Sequence, residues 1–284
     1  MPPLPPELWL CVIETLNARE DTGSLARLAR VSKLFWNLVT PFLYHTVRFR
    51  RSSRINGLRH GLLAHPSVAS HVRILVFGGG VKLPVPPFPA VHGNVFAQLS
   101  SLAGVHVRTC HLPNPPPKSS VGWWLAYSTP AVRRLMVTLV AAANFQLPPT
   151  PETLHLEHAE YAIDPLGCVA LYALRNLSAT VCIGTTERRW STPMNVALFL
   201  RSLSSLSNLS RARIFFAPES TIQKVFSELG AQSQLDSIVA DARIQLVVHD
   251  FGVDGYRKAV YGEMCGDGSF WSLGHVHPFE KLDT

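Results

Sequence analysis

The chain is poor in charge and in cysteine, and each scarcity narrows what it can be. Charged residues fill 16% of its 284 positions and hydrophobic residues 47%. A chain of that balance can bury a core, so general disorder is not expected. The five cysteines, Cys11, Cys110, Cys168, Cys182 and Cys265, are odd in number and include no C-x-x-C pair. That argues against a disulfide framework and fits reduced, mostly buried thiols in an intracellular protein, cytoplasmic or nuclear. Long apolar runs are missing too. The longest, residues 135–145, is interrupted by Thr138 and Asn144, and a bilayer span needs roughly 20 residues. No basic stretch followed by a long apolar core opens the chain, so no signal peptide is expected.

Signatures of chemistry are equally sparse. Gly78-Gly79-Gly80 follows a strand-like run but lacks the Lys-Ser/Thr of a phosphate loop and the spacing of a dinucleotide fingerprint. It reads as a tight turn. His155-x-x-His158 lies in an alternating run, where the two imidazoles would point to opposite faces of a strand. His275-x-His277 has no third ligand in sequence reach. There is no G-x-S-x-G elbow and no Cys–His signature. No metal, no cofactor and no catalytic residue are expected. An enzyme with a site near residues 78–80 or 155–158 is the remote alternative.

The net charge of +7 and pI near 9.4 permit attraction to anions without establishing it. The one basic cluster, Arg48-Phe49-Arg50-Arg51-Ser52-Ser53-Arg54, lacks interleaved stacking aromatics and reads as a solvated junction. Nucleic-acid binding usually takes more phosphate contacts than it offers.

What is there begins at Leu4. Pro5 and Pro6 suit the first turn of a helix, having no amide hydrogen to satisfy. Leu8, Val12 and Leu16 then recur at helical spacing, with Leu10 and Ile13 widening the stripe. A polar break at 17–24 supplies a cap for a second helix. That helix carries Leu25, Leu28, Phe35, Trp36, Leu38 and Val39 nearly all round, and Pro41 is expected to stop it. Residues 43–49 alternate and read as extended. So much apolar surface is more than a segment of this size can bury alone.

The motif Leu4-Pro5-x-Glu7-Leu8, then Ile13 and Leu16, then Leu25-x-x-Leu28-x-x-Val31-Ser32-Lys33-x-x-Trp36, then Pro41-x-Leu43-Tyr44 resembles the F-box. Ser32 stands where many members have cysteine. The resemblance covers about the first fifty residues, 1–49. It implies docking onto the Skp-family linker protein of an SCF-type cullin–RING ubiquitin ligase. The contacts it implies are Leu4, Pro5, Leu8, Ile13, Leu28, Val31, Trp36 and Leu43, apolar groups suited to the centre of an interface.

From residue 50 to 249 a short apolar extended run alternates with a helical run. The extended runs are 72–77, 105–110, 132–137, 153–158, 179–183, 212–216 and 242–248. Helices are expected at 57–64, 95–102, 121–127, 165–174, 194–206 and 220–229. The clearest, 194–206, has Val196, Phe199, Leu200, Leu203 and Leu206 on one stripe. Strands recur roughly every 20 to 35 residues, the spacing of a strand-plus-helix solenoid with a parallel sheet on one surface. Asn176-Leu177-Ser178 and Asn208-Leu209-Ser210 look like one junction used twice, with Pro151-Glu152-Thr153 a third instance. These junctions resemble degenerate leucine-rich repeats, without a clean L-x-x-L-x-L-x-x-N signature. A single irregular α/β domain with a mixed sheet is the competing reading. The proline-rich runs 84–89 and 113–118 are expected to be loops.

The expected class is therefore α/β: a small helical F-box at 1–49, then an irregular leucine-rich-repeat-like solenoid of short parallel strands and helices at 50–249. Residues 250–284, dense in glycine and aromatics, are expected to cap the last repeat or to carry target-binding aromatics. The function this implies is that of a substrate-recognition adaptor, not an enzyme, holding an unknown protein target for ubiquitin transfer. The alternative is a repeat-domain interaction scaffold with a vestigial F-box. Neither membrane nor nucleic acid is expected as a partner.

Overall fold

A computed structural model of the chain describes residues 5–19, 21–49, 53–78, 99–108, 133–138, 152–157, 174–181, 199–200, 203–216, 240–248 and 253–276. Helix α1 runs Pro6–Ala18, with Pro5 at its N-cap and a proline in its first turn. Asp21 accepts from the Ser24 amide at 3.0 Å and caps α2, Thr22–Leu28. The chain then turns. Ser32, in extended backbone, accepts from the Phe35 amide at 3.2 Å and caps α3, Lys33–His45. The single second helix expected from the apolar pattern is thus two, because Ser32 acts as a cap and not as a helix interior residue.

Pro41 does not stop α3; the helix runs through it to His45. An interior proline costs roughly 3 kcal/mol. Packing on several sides offsets that cost: Val39 and Thr40 are buried, and Trp36 and Tyr44 lie against the main core. Strand β1, Thr46–Phe49, follows without a break and pairs with the next strand, Thr46 against Ile74 through Phe49 against Phe77. A boundary at 49/50 therefore cuts between two paired strands of one sheet, and no spacer separates the helices from it.

Helix α4, Ser53–Ala64, and a 3-10 turn, Pro66–His71, lead into β2, Ile74–Phe77. The further strands are β3 Gly104–Arg108, β4 Arg134–Thr138, β5 Thr153–Glu157, β6 Asn176–Val181, β7 Arg211–Phe216 and β8 Ile244–Val248. Each overlaps an expected extended run, though β6 starts three residues ahead of the run expected at 179–183. Strands β1 to β8 are parallel and lie in chain order, and β9, His275–Val276, joins β8 antiparallel. The chain is α/β. The Gly78 amide extends the first ladder by donating to the Phe49 carbonyl at 2.8 Å; Gly79 and Gly80 lie outside the described residues.

One backbone junction recurs ahead of four strands. The carbonyl of Arg73 accepts from Ala103 and Gly104, that of Arg133 from Glu152 and Thr153, that of Glu152 from Arg175 and Asn176, and that of Arg175 from Ser210 and Arg211. The register pairs Asn176 with Arg211. Asn176 and Asn208 are therefore not equivalent, as their similar phrases suggested; the counterpart of Asn176 lies 211 − 176 = 35 residues on. Asn208 belongs to the turn before β7.

Alternation splits the sheet into two faces. One carries a ladder of Leu75, Val105, Leu135, Leu154, Leu177 and Ala212, and with Phe49, Phe77, Leu156 and Ile214 it forms the main core. Phe199, Leu200, Leu203 and Leu206 of the expected 194–206 stripe pack into this core. The expected helices at 121–127 and 220–229 and both proline-rich runs lie outside the described residues, as do 95–98 of the expected helix 95–102 and 165–173 of 165–174.

The last segment departs from expectation. It folds as α5, Val253–Met264, a 3-10 turn, Gly268–Ser272, and β9. Helix α5 ends in Gly266 at φ 100°, with the Asp267 amide donating to the Gly262 carbonyl and the Gly266 amide to that of Glu263. Strand β9 does cover the edge of β8, but α5 and the turn lie on the second face of the sheet. There Tyr256, Val260, Met264 and Phe270 pack on Ile74, Val76, Met136, Phe215 and Val247. The segment thus covers a face of the sheet as well as the β8 edge, with Gly255 and Gly262 inside the helix and Gly266 and Gly274 at positive φ beyond it.

Candidate functional site

Two places stand out, the outer surface of the N-terminal helices and the sheet face beneath α5. The first is built around a small core of Ile13, Leu25, Ala29 and Val39, against which Leu16, Leu28, Trp36, Leu38, Phe42 and Leu43 pack. Trp36 also touches the main core, and its ring lies 5.4 Å from that of His65. Trp9 meets Phe35 edge-on at 4.8 Å and ties the first turn of α1 to the start of α3.

Of the eight expected contact residues, Pro5, Leu8 and Val31 are on the surface, Leu8 at 51% and Val31 at 67% exposure. Leu28, Trp36 and Leu43 are half-buried. Ile13 is fully buried and holds α1 onto α2 and α3, so it supports a surface without forming it. Leu4 lies outside the described residues. Among the described residues, six large hydrophobic side chains are exposed: Leu8, Leu10, Val12, Val31, Leu34 and Leu63. All but Leu63 belong to these three helices and the turn between them. Leu8 and Val12 lie one helical turn apart on α1, and Leu34 flanks Phe35 as Leu8 flanks Trp9. Isolated exposed leucines are ordinary, and what stands out here is that five of the six fall in one small unit. Val12 lies on the apolar stripe read from the sequence but is not among the expected contacts, and neither is Leu34.

The second place combines polar groups that no local pattern announces. His155 on β5 is fully buried, its Nδ1 2.6 Å from Ser178 Oγ on β6 and its Nε2 2.9 Å from a Glu263 carboxylate oxygen on α5. Ser178 Oγ lies 2.8 Å from the Tyr256 hydroxyl. Burial holds the imidazole below its ordinary pKa, against the pull of Glu263. The neutral ring donates from Nε2 to Glu263 and accepts from Ser178, whose oxygen accepts from Tyr256. Burial works to raise the Glu263 carboxyl, but the His155 hydrogen bond, with Arg134 and the Trp271 indole N–H, keeps it below the usual carboxylate range.

Further bridges join α5 to the same face. Arg257 donates to both carboxylate oxygens of buried Glu157, at 2.9 and 2.6 Å, and His106 Nδ1 lies 2.6 Å from the Tyr261 hydroxyl. Hydroxyl, imidazole and carboxylate stand in the order of a nucleophilic triad. Here the Ser178 hydroxyl is sealed under Tyr256 with no solvent exposure, so substrate has no approach to it. The group works as a latch. His158 and His277, the second imidazoles that the two His pairs would supply, lie outside the described residues, and His155 is committed to Ser178 and Glu263.

No family model matches this chain, and no curated protein does either. Among the described residues no helix is long and apolar enough to cross a membrane. Cys11 and Cys265 are exposed; the other three cysteines, on which the expectation of mostly buried thiols turns, lie outside the described residues.

Proposed function

We propose that the chain is a substrate-recognition adaptor of an SCF-type cullin–RING ubiquitin ligase. Its three N-terminal helices act as an F-box and dock onto the Skp-family linker protein. The parallel-stranded domain acts as a degenerate leucine-rich-repeat solenoid and holds the target. The observation that carries this reading is the concentration of exposed Leu8, Leu10, Val12, Val31 and Leu34 on a unit that keeps its own core. Covering the exposed half of Leu8 or Val31 would contribute roughly 1 kcal/mol each. Five such anchors supply about 5 kcal/mol, so half-buried Leu28, Trp36 and Leu43 and a polar rim must add the rest of a stable interface.

A second reading rests on another observation. The helices run directly into β1, and Trp36 and Tyr44 pack against the sheet core, as a structural cap would. The chain is then an interaction scaffold whose F-box is vestigial. A pull-down with the purified Skp-family linker separates the two. The adaptor reading expects stoichiometric capture, lost with Leu8→Asp or Val31→Asp and kept with Leu63→Asp, an equally exposed leucine on α4. Failure of the folded wild-type chain to bind the linker refutes it.

A further inference from the structure

The two faces of the sheet differ in chemistry. The main core is met by aliphatic and aromatic ladders. The opposite face presents His106, Arg134, His155, Ser178, Arg213 and Gln245, interspersed with Val76, Met136 and Phe215. A face that served only to be buried would gain nothing from these groups, since each needs a partner once water is removed. They are supplied by one helix. Tyr256 reaches Ser178, Arg257 reaches Glu157, Tyr261 reaches His106 and Glu263 reaches His155. Tyr256, Val260, Glu263 and Met264 form one stripe at the spacing by which an amphipathic helix seats in a groove.

The fit is incomplete in one place. Arg213 is almost fully buried beneath the 3-10 turn, yet among the described residues its Nε has no hydrogen-bond partner, its Nη1 reaches the Phe270 carbonyl at 3.4 Å, and its guanidinium lies 5.7 Å from the Phe215 ring. Glu263 serves Arg134, and its charge acts on Arg211. Among the described side chains of the segment, no carboxylate pairs with Arg213. A buried guanidinium left in this way is costly, so an occupant with an acid at that position would hold the face better than the resident one.

We propose that α5 and the 3-10 turn are a resident, displaceable ligand of this face. The partner that replaces them is an amphipathic helix with a tyrosine, a basic residue, an aliphatic residue and a carboxylate at the spacing of Tyr256, Arg257, Val260 and Glu263, and a further acid over Arg213. Under the adaptor reading this helix belongs to the target, and the chain screens its own target site until the target competes. Linker binding by the N-terminal helices is a separate measurement, so either idea can fail alone.

The test is native-state hydrogen exchange on the full chain, with a fluorescein-labelled synthetic peptide of residues 253–276. Amides of 256–264 are expected to exchange at least about tenfold faster than those of β5 to β7, because the segment opens without the sheet. The Tyr256→Ala and the milder Glu263→Gln full-chain variants are expected to stay folded by circular dichroism. Both are expected to bind the peptide at least about tenfold more tightly than wild type, whose face is taken. Equal exchange of helix and strands, global unfolding of both variants, or folded variants that ignore the peptide would each overturn the proposal.

Discussion

Gly104 at the start of β3 lies directly under Met264 at the end of α5. A Cβ built on Gly104 would stand 2.6 Å from the Met264 sulfur and 3.2 Å from its Cβ. Backbone of β3 and side chain of α5 therefore share space that any other residue at 104 would need. Gly104→Val is expected to destabilise the chain by about 1 to 3 kcal/mol, the usual cost of overpacking. Met264→Ala opens room, so in urea melts the double variant should lose less than the sum of the two single variants. Additive losses would show that the two positions do not compete.

How much of this was legible beforehand divides along physical lines. Seven strands of the parallel domain are visible as apolar or alternating runs, because a strand writes its period in consecutive residues. Chain-order stacking follows from their spacing. The N-terminal surface is half-legible. Leu8 and Ile13 are both apolar on one helix, and only packing of α2 and α3 shows that Ile13 points inward while Leu8 points out. Ser32 looked like helix interior because its role is set by the extended backbone it adopts. The polar latch was invisible, since His155 and Glu263 are 108 residues apart. Their pairing depends on α5 crossing the sheet.

Ser32 offers a local check on the N-terminal helices. Its hydroxyl accepts from the Phe35 amide and separates α2 from α3. Ser32→Ala should cost about 1 kcal/mol, and Ser32→Asp should retain most of the cap and add favourable charge at the helix start. Thermal melts read both, with Ser32→Asp above Ser32→Ala. Equal melting of wild type and Ser32→Ala would show that the break between the helices does not depend on this cap.

Arg213 gives a prediction of unusual sign. Burial, with Arg211 alongside, holds its guanidinium below its ordinary pKa. Because Nε has no partner, Arg213→Met replaces a poorly satisfied buried charge with an apolar chain of similar length. The variant should be neutral or up to about 2 kcal/mol more stable in urea, unlike most core substitutions. A loss of several kcal/mol would mean that the guanidinium is better satisfied than its contacts indicate.

The latch should also make stability depend on pH in a fixed direction. Burial depresses the His155 imidazole below its ordinary 6.5, so the folded chain resists a proton that the unfolded chain takes up. Half-buried His45, beside Arg73, is shifted the same way, first by burial. With more protons bound unfolded than folded, stability is full above 6.5 and falls as pH drops from there toward the folded values. Glu263, held below its ordinary 4.5, adds a second loss as pH falls from that value through its folded one. Urea midpoints should therefore hold steady above neutrality and drop as pH falls below about 6.5. His155→Gln should flatten much of that first drop, and adding His45→Gln should flatten more, while the acid limb below it remains. A first drop of undiminished size in the double variant would place the titrating group elsewhere.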